Sequence, residues 1–259
     1  MEIDILFKDL KLNLQSLVIV STGGIDFFHN IFNIKPKDFL RYSKLDFDCK
    51  CEQRLVNSLS NAKRAIDCQI DETLSKLGID FEKSIQAGEM LIELFKIDNN
   101  LPKKLQIVQA LNLAPSFITS NSRNLRNKLE HEYELPTENK VKEIIDIAEL
   151  FINAVEGKIN ILESEFIITD EKNYSNNFNS CIKIKFDSVS LQFDVTFIKQ
   201  REIIESCKLD QSSTSFWFFL RVMISIYDEF ECEKTIRNLL KQYFPEIPDH
   251  KISLSMKYE

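Results

Sequence analysis

The sequence predicts a mainly α-helical protein, in which a helical bundle is followed by a smaller α+β domain. Glycine and proline interrupt helices most often, and they number only 5 and 6 in 259 residues. Apolar residues recur every three or four positions over much of the first 160 residues, as in amphipathic helices. After Leu162 apolar and charged residues alternate instead, which is typical of strands.

Three segments follow from this change of pattern. Residues 1–43 form a mixed N-terminal extension, in which leucines recur at helical spacing before the pair Gly23 and Gly24. Residues 44–162 form the helical bundle, and residues 163–259 form the α+β domain. A chain of this length suits one large domain or two modest ones.

The bundle is predicted to consist of successive helices that glycine and proline separate. The first extends over about 44–77 and stops at Gly78. It carries an apolar stripe of residues Leu55, Leu59, Ala62, Ile66, Ile70 and Leu74. Further helices are expected over about 81–95, 102–113, from Pro115 to Pro136, and 137–162 with Thr137 as a candidate N-cap.

The C-terminal segment is predicted to combine strands with two helices. Strands are expected at EFIITD, IKIKF, LQFDVTFI and KISLSMKY, since these are rich in β-branched and aromatic residues. The polar run EKNYSNNFNS is predicted to be a loop. Helices are expected over Ser212–Glu229 and Glu231–Tyr243.

Charge and composition exclude several classes of function. The net charge of −7 argues against a general nucleic-acid coat protein, because duplex affinity depends on phosphate neutralisation. The run LVIVSTGG is too short to span a bilayer, and no signal peptide is recognised, so we expect a cytoplasmic protein. The six cysteines are expected to be reduced and buried. Cys49 and Cys51 lack a second ligand pair, so neither a metal nor a cofactor is expected.

The stretch RNKLEHEY, residues 126–133, concentrates groups that can act on a phosphodiester. Asn127 and His131 are four residues apart, so they share one face of a helix. A histidine moves a proton near neutral pH, and Arg126 can hold a phosphate through two parallel hydrogen bonds. Cleavage needs a group on each side of the phosphorus, and a second copy of the chain across a two-fold axis would supply it.

Arg126, Asn127, His131 and Tyr133 resemble the R-x4-6-H motif of the HEPN superfamily, most closely the R-x4-H-x-Y form of HepT-type toxins. The resemblance covers about residues 44–162 and implies a helical, HEPN-like bundle. It also implies a homodimer whose two motifs face each other, with metal-independent endoribonuclease activity. In that pattern Arg126 and His131 are catalytic and Asn127 assists. The protein would be a toxin or an anti-phage defence effector.

The resemblance further implies partners and a modification site. Tyr133 occupies the position that a partner nucleotidyltransferase modifies with AMP in HepT pairs, so a nucleotidyltransferase antitoxin or another regulatory protein is a candidate partner. RNA is the expected substrate, and no membrane partner is expected. The predicted substrate-binding residues are basic and lie in the first long helix or beside the motif: Lys63, Arg64, Arg123 and Lys128.

Two alternatives remain at this point. Glu130, Glu132 and Glu134 surround His131, repel phosphate and raise the pKa of the histidine, which favours an acid role over a base role. In the first alternative these carboxylates prevent cleavage, and the chain is a non-catalytic HEPN-like dimerisation or nucleotide-binding scaffold. In the second alternative the motif is accidental on a helical adaptor, and Arg126 pairs with Glu130 as an ordinary surface ion pair.

Overall fold

A computed structural model describes residues 3–24, 31–114 and 135–258, and these residues adopt an α+β fold. The chain divides into two compact units. The sheet unit comprises Met1–Phe27, Leu77–Leu91 and Ile161–Glu259. The helical unit comprises Phe28–Lys76 and Ile92–Asn160.

The described residues form helices and strands in the following chain order. The helices are α1 (Ile3–Leu10), α2 (Pro36–Asp48), α3 (Arg54–Lys76), α4 (Gln86–Leu94), α5 (Lys103–Ala110), α6 (Glu138–Ile159), α7 (Glu171–Ser175), α8 (Thr214–Ile224) and α9 (Glu229–Tyr243). The strands are β1 (Leu17–Gly24), β2 (Glu163–Asp170), β3 (Ser180–Asp187), β4 (Gln192–Lys199), β5 (Glu202–Leu209) and β6 (Leu254–Tyr258). No helix among them is long and apolar enough to cross a membrane.

The sheet unit is built on one six-stranded mixed sheet in the order β5-β4-β3-β2-β1-β6. Neighbouring strands are antiparallel except β1 and β6, which are parallel. Helix α8 is buried along almost its whole length, as expected for a helix that is apolar on every side. The Phe193 ring lies 5.6 Å from that of Phe216 and 5.9 Å from that of Phe219, so aromatic contacts join the sheet to α8.

The helical unit is centred on α3, which packs against α2, α5 and α6. The predicted apolar stripe is buried from Leu59 to Leu74, which confirms that face of the helix. Helices α2 and α3 approach closely where two small side chains meet. The Ser43 hydroxyl donates to the Ser58 carbonyl at 2.7 Å, and the Ser58 hydroxyl donates to the Ser43 carbonyl at 2.8 Å. Each buried hydroxyl is therefore satisfied by the opposite backbone.

The prediction of a mainly α-helical protein is wrong, because the sheet is larger than the pattern indicated. Strand β1 lies within the predicted N-terminal extension and pairs with both β2 and β6. Its residues Leu17–Val20 are fully buried, so the strand carries no apolar–polar alternation. Strand β5 was also missed. It lies at the edge of the sheet and is largely exposed, so it lacks an apolar face.

Several predicted boundaries can be compared with the structure. The helix predicted over 44–77 is two helices, α2 and α3, which a five-residue connection without glycine or proline separates. Gly78 has a φ of 75°, which confirms the predicted stop after α3. The Thr137 side chain accepts a hydrogen bond from the Lys140 N–H at 3.4 Å, which confirms the predicted cap of α6. The helix predicted between Pro115 and Pro136 lies almost entirely outside the described residues.

Candidate functional site

The predicted catalytic segment lies outside the described residues. Positions 115–134 contain every predicted site residue of the motif region, namely Arg123, Arg126, Asn127, Lys128, His131 and Tyr133. Their roles in catalysis, RNA binding and modification therefore stay predictions.

The residues that flank positions 115–134 are attached to the helical unit. On the N-terminal side, the Asn112 carbonyl accepts a hydrogen bond from Lys158 Nζ of α6. On the C-terminal side, Glu138 forms an ion pair with Arg54 of α3. Leu111, Leu113 and Ala114 are buried, so the described residues just before the segment belong to the core of this unit. Both flanks of the predicted motif are thus anchored on α3 and α6.

The two described members of the predicted substrate-binding set lie side by side on α3. Lys63 is half-buried and Arg64 is exposed. The Arg64 Nη1 atom lies 3.5 Å from Asn61 Oδ1, and Asn61 in turn donates to Asp46 Oδ2 at 2.7 Å. An exposed guanidinium presents five N–H donors, so one weak contact leaves donors for a phosphate. Their contact with RNA stays a prediction.

The cysteines differ in exposure, and the prediction that all are buried is wrong for Cys49. All six are free thiols, and Cys49 is exposed in the connection between α2 and α3. The Cys51 N–H donates to Cys49 Sγ at 3.3 Å, and hydrogen bonding by the Cys51 side chain lowers the pKa of Cys49. No cluster of three or more metal-ligating side chains occurs in the part of the chain that the structure describes.

The helical unit contains a cavity of about 320 Å³ that the sequence did not indicate. The N-terminus of α2, the C-terminal half of α3 and the C-terminus of α6 meet around it. Its lining is rich in charged and amide side chains. The lining residues are Lys35, Pro36, Lys37, Gln69, Glu72, Thr73, Lys76, Glu156, Ile159 and Asn160.

Gln69 is the unusual member of this lining. Gln69 is only 4% exposed, and its Nε2 atom donates a hydrogen bond to Thr73 Oγ1 at 3.0 Å. Its Oε1 atom is buried without a hydrogen-bond partner among the described residues. The sequence carried one signal for this residue. Gln69 lies three positions after Ile66 and directly before Ile70 of the apolar stripe, where a polar residue is uncommon.

Two ion pairs also lie in the wall of the cavity. Lys76 Nζ is 2.7 Å from Glu72 Oε1 within α3. Lys37 Nζ is 2.5 Å from Glu156 Oε2, which joins the start of α2 to the end of α6. These pairs leave Lys35 as the lining cation that forms no ion pair with a described residue.

Comparison with protein-family models, with curated proteins and with solved structures gave no match. A functional assignment therefore depends on the chain's own residues.

Proposed function

We propose that this protein is a metal-independent endoribonuclease of HEPN type that acts as a homodimer. The observation that carries the proposal is the spacing of Arg126, Asn127, His131 and Tyr133 in one eight-residue stretch. The packing of α2, α5 and α6 around α3 supports part of the implied bundle, whereas Leu77–Leu91 within the implied range belongs to the sheet unit. The anchored flanks of positions 115–134 also support the proposal, since a catalytic segment needs fixed ends.

The proposed reaction uses the RNA itself as the nucleophile. The 2′-hydroxyl attacks the adjacent phosphorus and the 5′-oxygen leaves, which forms a 2′,3′-cyclic phosphate and a 5′-hydroxyl. A His131 imidazolium gives its proton to the leaving oxygen, while the imidazole of the second copy takes the proton of the 2′-hydroxyl. Arg126 stabilises the charge that develops on the phosphate, and Asn127 orients these groups. No step requires a metal or a cofactor.

The cellular setting is part of the proposal. We place the protein in the cytoplasm as a toxin or an anti-phage defence effector. Tyr133 is proposed as a site at which a nucleotidyltransferase antitoxin attaches AMP. A bulky, negatively charged group two residues from His131 would block the approach of RNA, which gives the modification an inhibitory effect.

An RNA cleavage assay in EDTA tests the proposed activity. The wild-type protein is expected to degrade a mixed RNA substrate, and His131→Ala or Arg126→Ala to reduce the rate at least 100-fold, as expected for loss of an acid–base or charge-stabilising group. His250→Ala and Arg41→Ala are matched controls, because both residues are exposed and lie outside the proposed site. The controls should keep the wild-type rate. Intact RNA with wild-type protein, or equal rates for all variants, would refute the proposal.

The second candidate is a non-catalytic HEPN-like dimerisation or nucleotide-binding scaffold. The observation that favours it is the run of carboxylates Glu130, Glu132 and Glu134 around His131, which opposes the approach of phosphate. A stable dimer that leaves every tested RNA intact would support this candidate.

A further inference from the structure

We infer that Cys49 and Cys51, in the connection between α2 and α3, form a reversible disulfide when the protein meets a peroxide. Cys49 would react with the peroxide, and Cys51 would then displace the oxygen from the oxidised sulfur. This inference does not depend on RNA cleavage, because both cysteines are described and neither belongs to the proposed catalytic or substrate-binding residues.

The first argument is the geometry of the two thiols. The Cys51 N–H donates to Cys49 Sγ at 3.3 Å, and the Cys51 thiol is hydrogen-bonded to the same sulfur. Residues two positions apart have Cα atoms at most about 7 Å apart, and a disulfide requires about 4.4–6.8 Å. A bend that already brings the two side chains into contact therefore leaves little movement to form the bond.

The second argument is the position of the pair between two helix ends. The Cys49 N–H donates to the Asp46 carbonyl at 3.2 Å where α2 ends, and the Arg54 N–H donates to the Cys51 carbonyl at 3.2 Å where α3 begins. Both flanks are thus fixed, so joining the two side chains costs little further conformational entropy. Residues 49–53 are themselves outside the helices, so the connection can adjust to the new bond.

The third argument is the difference between the two thiols. Cys49 is exposed, and its hydrogen bond with the Cys51 side chain lowers its pKa, although the Asp46 carboxylate opposes this shift. The same hydrogen bond raises the pKa of Cys51, which therefore keeps its proton. The thiolate is the form that peroxides oxidise, and redox-sensing cysteines are accessible and lie beside a second cysteine. Cys49 is thus the attacking thiol and Cys51 the resolving thiol.

The other four cysteines lack this combination of features. Cys181 and Cys232 are buried, and burial raises their pKa values to about 11 and about 12. Burial also raises the pKa of Cys68 to about 11, and it raises that of Cys207. These four thiols are therefore expected to react with peroxide more slowly than Cys49.

A zinc site is a poorer explanation of the pair. Structural zinc takes four protein ligands, and catalytic zinc takes three. Within residues 3–24, 31–114 and 135–258, no group of three or more metal-ligating side chains occurs. Two cysteines that are already hydrogen-bonded to each other suit a disulfide better than this coordination.

The reaction proceeds in two balanced steps. The Cys49 thiolate attacks one oxygen of the peroxide, the O–O bond breaks, and the sulfur becomes a sulfenic acid. The hydroxide that leaves takes up the proton that Cys49 had released. The Cys51 sulfur then attacks the Cys49 sulfur, the S–O bond breaks, and the hydroxyl group leaves as water with the Cys51 proton. The two thiols lose two electrons in total, and hydrogen peroxide is reduced to two molecules of water.

Peptide mapping after treatment with hydrogen peroxide tests the inference. Trypsin cleaves after Lys50, so the two cysteines fall in separate peptides, LDFDCK and CEQR. We expect the folded full-length protein, treated with peroxide and then alkylated, to yield these two peptides joined by a disulfide that dithiothreitol cleaves. Free thiols titrated in the unfolded protein should fall from six to four. The intact mass should be that of one chain less two hydrogen atoms, as expected for a bond within one chain.

The variant Cys51→Ser separates the two steps of the reaction. Its Cys49 should stop at the sulfenic acid, which dimedone labels, whereas the wild type should give little dimedone adduct. Cys68→Ser is the matched control, because Cys68 is another partly accessible thiol of the helical unit, and it should form the disulfide at the wild-type rate. Cys51 lies outside the helices and is not fully buried, so its variant is expected to fold, and circular dichroism checks this.

Three results would overturn the inference. The first is the absence of the joined peptides from the peroxide-treated wild type. The second is a disulfide that links Cys49 to a cysteine other than Cys51. The third is equal dimedone labelling of Cys49 in the wild type and in Cys51→Ser, since Cys51 would then not resolve the sulfenic acid.

Discussion

At the scale of single residues, neighbours decide the chemistry of the cysteines. Burial raises the pKa of Cys181 to about 11 and that of Cys232 to about 12. Hydrogen bonding by Cys51 lowers the pKa of the exposed Cys49. The thiolate is the reactive form of a cysteine. At a pH below both pKa values, the thiol with the lower pKa has the larger thiolate fraction and reacts faster.

Alkylation with iodoacetamide should therefore modify Cys49 before the buried cysteines. At pH 7 and in the folded protein, mass spectrometry should detect Cys49 as labelled while Cys181 and Cys232 stay unmodified. Cys51→Ala removes the donor that contributes most to the shift, so it should slow the labelling of Cys49 at pH 7 and move its pH dependence upward. Cys68→Ala is the control and should not change the rate. An unchanged rate in Cys51→Ala would contradict this account.

Gln69 permits a separate prediction about stability. Because Gln69 Nε2 also donates to the buried Thr73 hydroxyl, both polar groups must be replaced together, and Gln69→Leu combined with Thr73→Val should raise the free energy of unfolding by about 1 kcal/mol. Urea denaturation followed by circular dichroism measures this change. Gln53→Leu, at an exposed position before α3, should stay within about 0.5 kcal/mol of the wild type. A clear loss of stability in the double variant would mean that the Gln69 oxygen is satisfied in the folded protein.

At the scale of elements, a glycine sets the distance between α4 and α8. A Cβ atom built on Gly88 would lie 2.7 Å from Cζ2 of the Trp217 side chain. The Trp217 indole donates to the Gln211 carbonyl at 2.8 Å, and Gln211 also bonds to the backbone of Asp80. The indole is therefore held by a hydrogen bond to a residue that is itself fixed, which opposes its movement away from an added methyl group.

Gly88→Ala should consequently lower the free energy of unfolding by about 2 kcal/mol, because the steric cost of overpacking exceeds the helical advantage of alanine. Gly157→Ala is the matched control, since Gly157 is a helical glycine with no atom within 4 Å of the added Cβ. That variant should gain up to about 1 kcal/mol. Thermal or urea denaturation of both variants measures the difference, and equal effects would show that the contact with Trp217 is not tight.

Sequence reasoning found most readily the elements whose pattern reflects a single exposed face. The alternation of IKIKF and LQFDVTFI predicted β3 and β4, where buried and exposed residues alternate. Strand β1 escaped prediction because both its faces are buried, so an apolar run carried no period. The cavity could not be predicted from the sequence, because it forms where parts of three separate helices meet. The one indication in the sequence was the polar residue Gln69 within the apolar stripe.

At the scale of the whole molecule, the sheet joins distant parts of the chain. Strand β1 near the start of the sequence lies between β2 and β6, which come from the second half. The net charge is −7, so the proposed binding of RNA requires a local basic surface, and that binding should weaken steeply as the salt concentration increases. The proposed reaction requires a homodimer, in which two copies of the chain act on one phosphodiester.

Mixing wild-type protein with His131→Ala tests this claim most directly. The two proteins are mixed in equal amounts, the dimers are allowed to exchange, and RNA cleavage is measured in EDTA. If both copies of His131 act on one phosphodiester, only dimers of two wild-type chains are active. The mixture then has about one quarter of the activity of the same total amount of wild-type protein. About one half of the activity would remain if each chain cleaved RNA alone, and that result would contradict the composite site.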